Sequence, residues 1–428
     1  MEKSTEKNCW MILTARSNYM LTIEQISSIA EEYETPAYIF DIEELSKRIQ
    51  SIRKITGEEI ELCFAMKANP FLVHYIEPLV DRLEVCSPGE FAICEREKVN
   101  MNNVVLSGVY KNKNDIEYTM RMEYNIGLYT VESMAQWEIL SDSVKQSQKK
   151  ISVLLRLTNG NQFGLDATDI NTIISNRNDY PYIMIKGIQY FSGTQKKNME
   201  QIAKEIEELD NTCSHLLDEY NFQAEEIEYG PGLPVDYFSA EAANQNLNKF
   251  EQLMDLLKPI KSKYKIAVEL GRYFTATCGI YLSKVVDIKA NKGLGYCIID
   301  GGIHHINYYG QMLALKFPVV DIIKSAHENS HSDIKEWTIC GSLCTVNDVL
   351  MRKYPITNPD VGDVFVFYNT GAYSVTETGY LFLSREMPLI LAVNNDGKEE
   401  KINILRDRIK TDVLNSRQQV CNIKEITR

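Results

Sequence analysis

A lysine closes the apolar run in CFAMKANP (63–70). Lysine is seldom buried without a partner. Lys67 therefore either marks where a strand meets solvent or is held in place for chemistry, since its amine can condense with a carbonyl compound. Three further segments carry residues of similar promise. Arg156 sits inside SVLLRLT (152–158), Gly230-Pro231-Gly232 follows EIEY, and KIAVEL (265–270) runs on so that Glu269, Gly271 and Arg272 read ELGR. A glycine turn offers backbone N–H groups to an anion, and an arginine adds a guanidinium; together these make a phosphate site. A carboxylate such as Glu269 can keep a heterocyclic nitrogen protonated. Taken singly, each feature has a plainer reading as a rim lysine, a turn or a salt bridge.

The elements that would position these residues follow from hydrophobic periodicity. Strand candidates are PAYIF (36–40), ELCFAM (61–66), RLEVCS (82–87), NVVLSG (103–108), IGLYTV (126–131), SVLLRLT, IKGIQYF (185–191), EIEYG (226–230) and KIAVEL. Amphipathic stretches at helical spacing lie between them, such as LSKRIQSIRKI (45–55) and MEQIAKEIEELDNTCSHLLDEY (199–220). This alternation predicts a parallel sheet with helical crossovers, closed as a (β/α)8 barrel over residues 36–278. Nine candidates compete for eight places, and PAYIF is expected to pair outside the ring. After residue 278 strands follow one another without helical spacers, and Asn395-Asp396-Gly397 reads as a hairpin turn. Residues 279–428 are expected to form a β-domain, with a polar loop at 327–336, that the N-terminal segment 1–35 also joins. In a (β/α)8 barrel, functional residues stand at the C-terminal ends of strands. Lys67, Gly230, Gly232, Glu269, Gly271 and Arg272 occupy such places, and Arg156 lies within its strand. Carbonyl, phosphate and pyridine chemistry gathered at one barrel mouth describe pyridoxal 5'-phosphate.

Composition narrows the partners. The chain has 428 residues, a net charge of −13 and 44% apolar residues. That acidity argues against nucleic acid or an anionic membrane surface. The basic stretches 145–150 and 258–265 read as solvated helix faces. No stretch approaches the roughly 20 apolar residues of a spanning helix, and the N-terminus lacks the apolar core of a secretory signal. The ten cysteines are scattered without zinc spacing. Reduced thiols and a cytoplasmic location are expected, with no metal.

The ordered motifs resemble the fold-type III pyridoxal phosphate-dependent decarboxylases, the family of diaminopimelate and ornithine decarboxylases, from TPAYIFD (35–41) to the C-terminus. CFAMKANP is similar to the family's Schiff-base lysine motif, and EVCSPGE (84–90), opened by Glu84, to the motif on the next strand. LLRLT supplies Arg156 for the cofactor's phenolic oxygen. GIQYFSGTQ (187–195) supplies Phe191 to stack on the ring and Thr194 for the phosphate. EYGPG, ELGR and TGAYSVT (370–376), with Tyr373, match the remaining cofactor motifs, and CGSLCTVND (340–348) places Cys344 as the catalytic acid. The resemblance implies that Lys67 carries the cofactor, that Glu269 keeps its ring protonated, and that Cys344 reprotonates the α-carbon. It also implies a homodimer in which the cysteine crosses the interface.

The departures from the family pattern bear on substrate. Phe191 replaces the stacking histidine, Thr345 replaces the glutamate after the catalytic cysteine, and IDGGIHHINYYGQM (299–312) lacks the family's substrate-binding arginine. The segment LTNGN after Arg156 is also short. DGG-I-HH, LCT-x-x-D, QFGLD (162–166) and FLSREMP (382–388) resemble the antibiotic- and siderophore-pathway subgroup. That subgroup implies a substrate conjugated at its distal end, such as an amino acid on an acyl- or peptidyl-carrier protein. His304 and His305, read as surface or interface residues, and Tyr308, Thr345 and Asp348 are the residues expected near substrate. The alternatives are decarboxylation of free diaminopimelate, lysine or ornithine; racemisation or epimerisation, against which Glu269 speaks; and a non-catalytic regulatory homologue.

Overall fold

The computed structural model describes residues 21–239, 247–325, 334–395 and 400–417. They fall into two compact units, one holding residues 46–235 and 247–275, the other residues 21–45, 236–239 and 276–417. These limits differ from the sequence-based boundaries at 35/36 and 278/279. At the first of them, helix α1 (Ile23–Tyr33) and strand β1 (Ala37–Asp41) find their apolar partners in the second unit. Residues 1–20 of the expected N-terminal segment, residues 327–333 of the polar loop, and Asp396 and Gly397 of the expected turn lie outside the described residues.

The first unit is a closed parallel barrel of β2 (Ile60–Ala65), β3 (Arg82–Val85), β4 (Val104–Leu106), β5 (Leu128–Val131), β6 (Ile151–Leu157), β7 (Ile183–Phe191), β8 (Glu226–Gly230) and β9 (Lys265–Leu270). β9 closes on β2, with Ile60 opposite Ile266 and Phe64 opposite Leu270. These are the eight strand candidates other than PAYIF. Strands covered on both faces are selected for near-continuous apolar runs, which is why ISVLLRL and KIAVEL were legible. Short turns link β2 to β3. The later crossovers use α2 (Pro88–Arg96), α3 (Lys113–Arg121), α4 (Met134–Ser147), α5 (Ala167–Ser175), α6 (Met199–Tyr220) and α7 (Asn248–Lys261). Five of these begin at a side-chain cap, namely Ser87, Asn112, Ser133, Asp166 and Asn198. Each cap satisfies a helix N–H and contributes about 1 kcal/mol. The caps also end the βα-loops cleanly, so the loops stay short.

The barrel encloses charge as well as apolar surface. Cys63, Val105, Leu128 and Leu154, from four strands, form an apolar cluster. Arg82 on β3 donates to Glu61 at 2.6 Å, to both oxygens of Glu226 at 3.2 and 2.9 Å, and to Glu228 at 3.3 Å. Gln189 donates to the other Glu228 oxygen at 3.1 Å. Burial pushes the Glu228 carboxyl up to about 7, against the pull of Arg82.

The second unit is a nine-stranded sheet built from β1 and β10 (Gly279–Asn291), β11 (Leu294–Ile299), β12 (Val320–Ile323), β13 (Glu336–Cys340), β14 (Val349–Pro355), β15 (Val364–Tyr368), β16 (Leu389–Asn395) and β17 (Glu400–Arg406). The order β14-β13-β11-β10-β1-β16-β17 carries β15 on β10 and β12 on β15. β1, the PAYIF run, lies antiparallel to β10 and parallel to β16. Ile26 and Ile29 of α1 pack with Ile39, Ile280, Leu282, Val366 and Leu391. Sequence reading overlooked β12, which is only four residues long, and β14 and β17, whose charged positions break the apolar run. Among the described residues no helix is long and apolar enough to cross a membrane, and no group of His, Cys, Asp and Glu is arranged to hold a metal ion. The eight described cysteines are free thiols.

Candidate active site

At the end of β2 the chain leaves the sheet in a single turn, Met66–Ala68, followed by Asn69, whose side chain accepts from Phe71 N. Lys67 thus leaves the strand line and reaches two carboxylates on other strands. Nζ donates to Glu84 Oε2 of β3 at 2.6 Å and to Glu269 Oε1 of β9 at 3.3 Å. Strand register explains the meeting: Ala65 pairs with Glu84 and Cys63 with Glu269. The lysine is 37% exposed, whereas the two carboxylates are 2% and 6% exposed. The Phe191 ring centroid at the end of β7 lies 5.9 Å from Nζ, and Cys86 Sγ 3.9 Å.

Two buried carboxylates around one ammonium cannot both ionise freely. Burial alone would raise both. The Lys67 charge and hydrogen bond outweigh it at Glu84 and hold that carboxyl low. At Glu269, burial and the Glu84 charge together push the proton affinity well up. Glu84 is thereby held as the lysine's counter-ion, while Glu269 favours its protonated form.

Around this trio stand the remaining barrel residues. Arg156 on β6 donates to Glu132 at 2.9 Å, and its guanidinium carbon lies 4.9 Å from the Phe163 ring centroid. QFGLD serves this arrangement: Leu165 N donates to Arg156 O, Thr158 N donates to Leu165 O, and Asp166 caps α5. Phe191 packs on Gly230 so closely that a Cβ there would lie 2.6 Å from the ring. Gly232 has φ +59°, and its Cβ would lie 1.9 Å from Gly193 O, so only glycine fits that turn. Gly271 lies against Ala65 and Ala68, Arg272 is buried at the start of a short helix, and Thr194 is exposed.

The chemistry of this donor set fits pyridoxal phosphate. An amine lies between two carboxylates of opposed proton affinity, beside an aromatic face. Arg156 Nε is buried without a hydrogen-bond partner among the described residues. Nothing lies within 4 Å of where a Cβ on Gly193 would stand, which leaves space over the Gly193–Gly232 contact. Glu132 and Phe163 were missed by sequence reading. Glu132 directly follows the run IGLYTV, a strand-end position that is a usable signal.

The other expected site residues lie in the second unit. Cys344 is exposed, on the loop between β13 and β14, and Thr345 is half-buried. Asp348 is buried; its two oxygens accept from Ile303 N at 2.9 Å and Leu343 N at 2.7 Å, which ties the DGG loop to the cysteine loop. Tyr308 is buried and donates to Tyr368 O at 2.7 Å. Tyr373 is half-buried, with a left-handed backbone at φ +64°.

His304 and His305, read as surface or interface residues, are both 2% exposed in the unit. His305 bonds Tyr281 OH at 3.1 Å and Glu386 O at 2.9 Å, partners too distant in sequence to foresee. Burial pushes His304 down to about 4, helped by Arg385, and His305 down to about 3, helped by His304. Their unfolded value is 6.5. Stability is therefore complete above pH 6.5 and falls with pH, because the unfolded chain gains protons that the folded one refuses. By pH 5 the loss is about 2 kcal/mol per histidine. Thermal unfolding at pH 7.5 and 5.0 should show this loss, and His304→Phe should remove about half of it. An unchanged pH slope in the variant would refute the assignment.

Comparison with known proteins places these features in context. The family description "Pyridoxal-dependent decarboxylase, pyridoxal binding domain" matches residues 42–276. The chain is 23% identical over 400 residues to the L-glutamyl-[BtrI acyl-carrier protein] decarboxylase of Niallia circulans, covering 88% of this chain and 92% of that protein. It is 24% identical over 412 residues to the 2-[(L-alanin-3-ylcarbamoyl)methyl]-2-hydroxybutanedioate decarboxylase of Staphylococcus aureus, covering 88% and 98%. The fold is similar to that of diaminopimelate decarboxylase from M. jannaschii in complex with L-lysine, with a TM-score of 0.77 and 21% identity over 92% of this chain and 94% of that one.

Proposed function

The chain belongs to the pyridoxal-dependent decarboxylases, and from that premise we propose that its substrate is an amino acid conjugated at its distal end, on an acyl- or peptidyl-carrier protein or in a small-molecule conjugate. One observation carries this reading. Thr345 follows Cys344, and residues 299–312 contain no arginine. A free distal carboxylate or zwitterion would be left with a desolvated, unpaired charge, which is costly; a capped one would not. One relative supports a capped carboxylate by name, a decarboxylase of a carrier-bound L-glutamyl group; the carbamoyl-linked alanine derivative named for another is a conjugate that ends in free carboxylates, so it supports conjugation and not capping.

Bound pyridoxal phosphate supplies a sink for the electron pair left when the α-carboxylate departs as carbon dioxide. The remaining tasks fall to the chain. Lys67 Nζ, between Glu84 and Glu269, would be the amine that holds the cofactor. Glu84 would be the carboxylate partner of the Lys67 nitrogen. Glu269, with its high proton affinity, would be the carboxyl that shares a proton with the ring nitrogen. Arg156, steadied by Glu132, would be the cation for the phenolic oxygen, and Phe191 would offer an aromatic face to the ring. Thr194, Gly230, Gly232, Gly271 and Arg272, all of the barrel unit, would serve the phosphate. Cys344 Sγ, exposed on its loop, would be the proton donor to the α-carbon in the partner protomer of a homodimer.

Carbon dioxide release should be measured with glutamate tethered to a carrier protein, with amide-conjugated amino acids, and with free glutamate, lysine, ornithine and diaminopimelate. A conjugate is expected to exceed every free amino acid in kcat/KM by about 100-fold, the ratio for roughly 3 kcal/mol of unpaired charge. Preference for a free basic amino acid would overturn the conjugate reading and leave decarboxylation standing.

A further inference from the structure

Behind the loop that follows β7 lies a buried ion pair with no part in the chemistry above. Lys196 Nζ donates to Glu205 Oε2 of α6 at 2.5 Å, and the two side chains are 5% and 7% exposed. Ser192 joins them: its hydroxyl donates to Glu205 Oε1 at 2.5 Å and accepts from Lys196 Nζ at 2.9 Å. Tyr229 of β8 donates to Glu205 Oε2 at 2.6 Å, and Gln201 donates to Oε1 at 3.2 Å. Both carboxylate oxygens are thus doubly occupied, by groups from the β7 loop, α6 and β8.

The same loop is pinned from above to the turn after β8. Lys196 N donates to Gly232 O at 2.9 Å. Gln195 brackets Val235, with Nε2 donating to Val235 O at 2.9 Å and Oε1 accepting from Val235 N at 2.6 Å. Gln195 does so with a left-handed backbone at φ +58°, a conformation that costs a non-glycine residue about 1–2 kcal/mol. The Lys196 stem passes under the glycine turn, where a Cβ on Gly232 would lie 3.1 Å from Lys196 Cε. Between these pins stand Gly193, with open space over it, and exposed Thr194.

A buried ion pair rarely stabilises a fold more than apolar side chains of the same volume, and its best-attested use is to specify one geometry. The pair is also neutral overall, so it adds little attraction for an anion. What it does is hold two backbone segments at one separation. We infer that the Lys196–Glu205 pair is a positioning device that sets the gap between the Ser192–Lys197 loop and the Gly230–Val235 turn for the cofactor's phosphate. This rests on the cofactor reading above, and Lys196 acts through the loop rather than by touching the phosphate.

The test compares two ligands that differ only in the phosphate. Affinities of pyridoxal phosphate and of pyridoxal are measured by fluorescence titration for the wild type, for Lys196→Met, and for the double variant Lys196→Met with Glu205→Leu, which leaves no buried charge unpaired. Pyridoxal phosphate should bind the double variant about 10- to 100-fold more weakly, the range seen when a residue supporting a ligand group is lost. Pyridoxal should bind all three proteins within about twofold, because preorganised parts govern only the group they hold. Equal weakening of both ligands would mean general damage and overturn the proposal, as would undiminished affinity for pyridoxal phosphate in the double variant. A wild type that binds the two ligands equally would instead overturn the cofactor reading beneath it.

Discussion

Lys67→Ala is expected to give a protein that no longer holds pyridoxal phosphate covalently and releases carbon dioxide at least about 10³-fold more slowly. Among the described residues the barrel presents no equivalent amine between two carboxylates: Nζ lies 2.6 Å from Glu84 and 3.3 Å from Glu269. Alanine also removes the positive charge that holds the Glu84 carboxyl low, so some loss of stability above neutral pH accompanies it. Lys67→Arg separates the two effects. Arginine keeps a permanent charge between the carboxylates but forms no such covalent bond. It should fold as the wild type does and be as inactive as the alanine variant. The measurements are the visible absorption of the purified proteins, cofactor retention after borohydride reduction and denaturation, and carbon dioxide release. Borohydride-fixed cofactor on Lys67→Arg, or turnover above a tenth of wild type, would remove Lys67 from its assigned role.

The second large effect is on stability. Arg82→Met should cost about 3–5 kcal/mol at neutral pH, as expected when one partner of a buried ion cluster is removed. Glu61, Glu226 and Glu228 would lose their shared guanidinium, and Glu228 is fully buried. For a barrel of this size the loss corresponds to a fall in Tm of roughly 10 °C. The pH dependence identifies the cause. The raised Glu228 carboxyl already destabilises the fold as pH climbs from its unfolded value of 4.5 toward about 7. Without Arg82 the folded value rises further, so the cost of the substitution grows with pH over that interval and beyond it. Thermal unfolding at pH 5.5 and pH 8 should show a larger gap between variant and wild type at pH 8. Equal gaps, or a gap below about 1 kcal/mol at both, would show that the cluster carries no net charge effect.

The sequence by itself determined the strands of the barrel and which charged residues stand at their ends. Runs such as ISVLLRL are buried on nearly every residue, so their apolar character is almost continuous and local, and a short window suffices to see it. Nine runs for eight places showed that one must pair outside the ring; that it is PAYIF was an expectation, and the sheet pairing of β1 bears it out. Lys67, Glu269 and Arg272 were legible because a charged residue ending an apolar strand is conspicuous, and because their motifs recur in a known family. The tertiary structure alone decided which charges meet. Arg82 finds Glu226 144 positions away, and Lys67 finds Glu269 at a separation of 202. The same holds for the fate of His305, which Tyr281 and Glu386 draw into the interior. Lys196 and Glu205 are only nine apart, yet that spacing crosses from a loop into a helix, and no periodicity predicts the contact. Periodicity reports which face of an element is buried. It carries no information about which buried polar group another element will bring to it, because that depends on how the chain closes on itself.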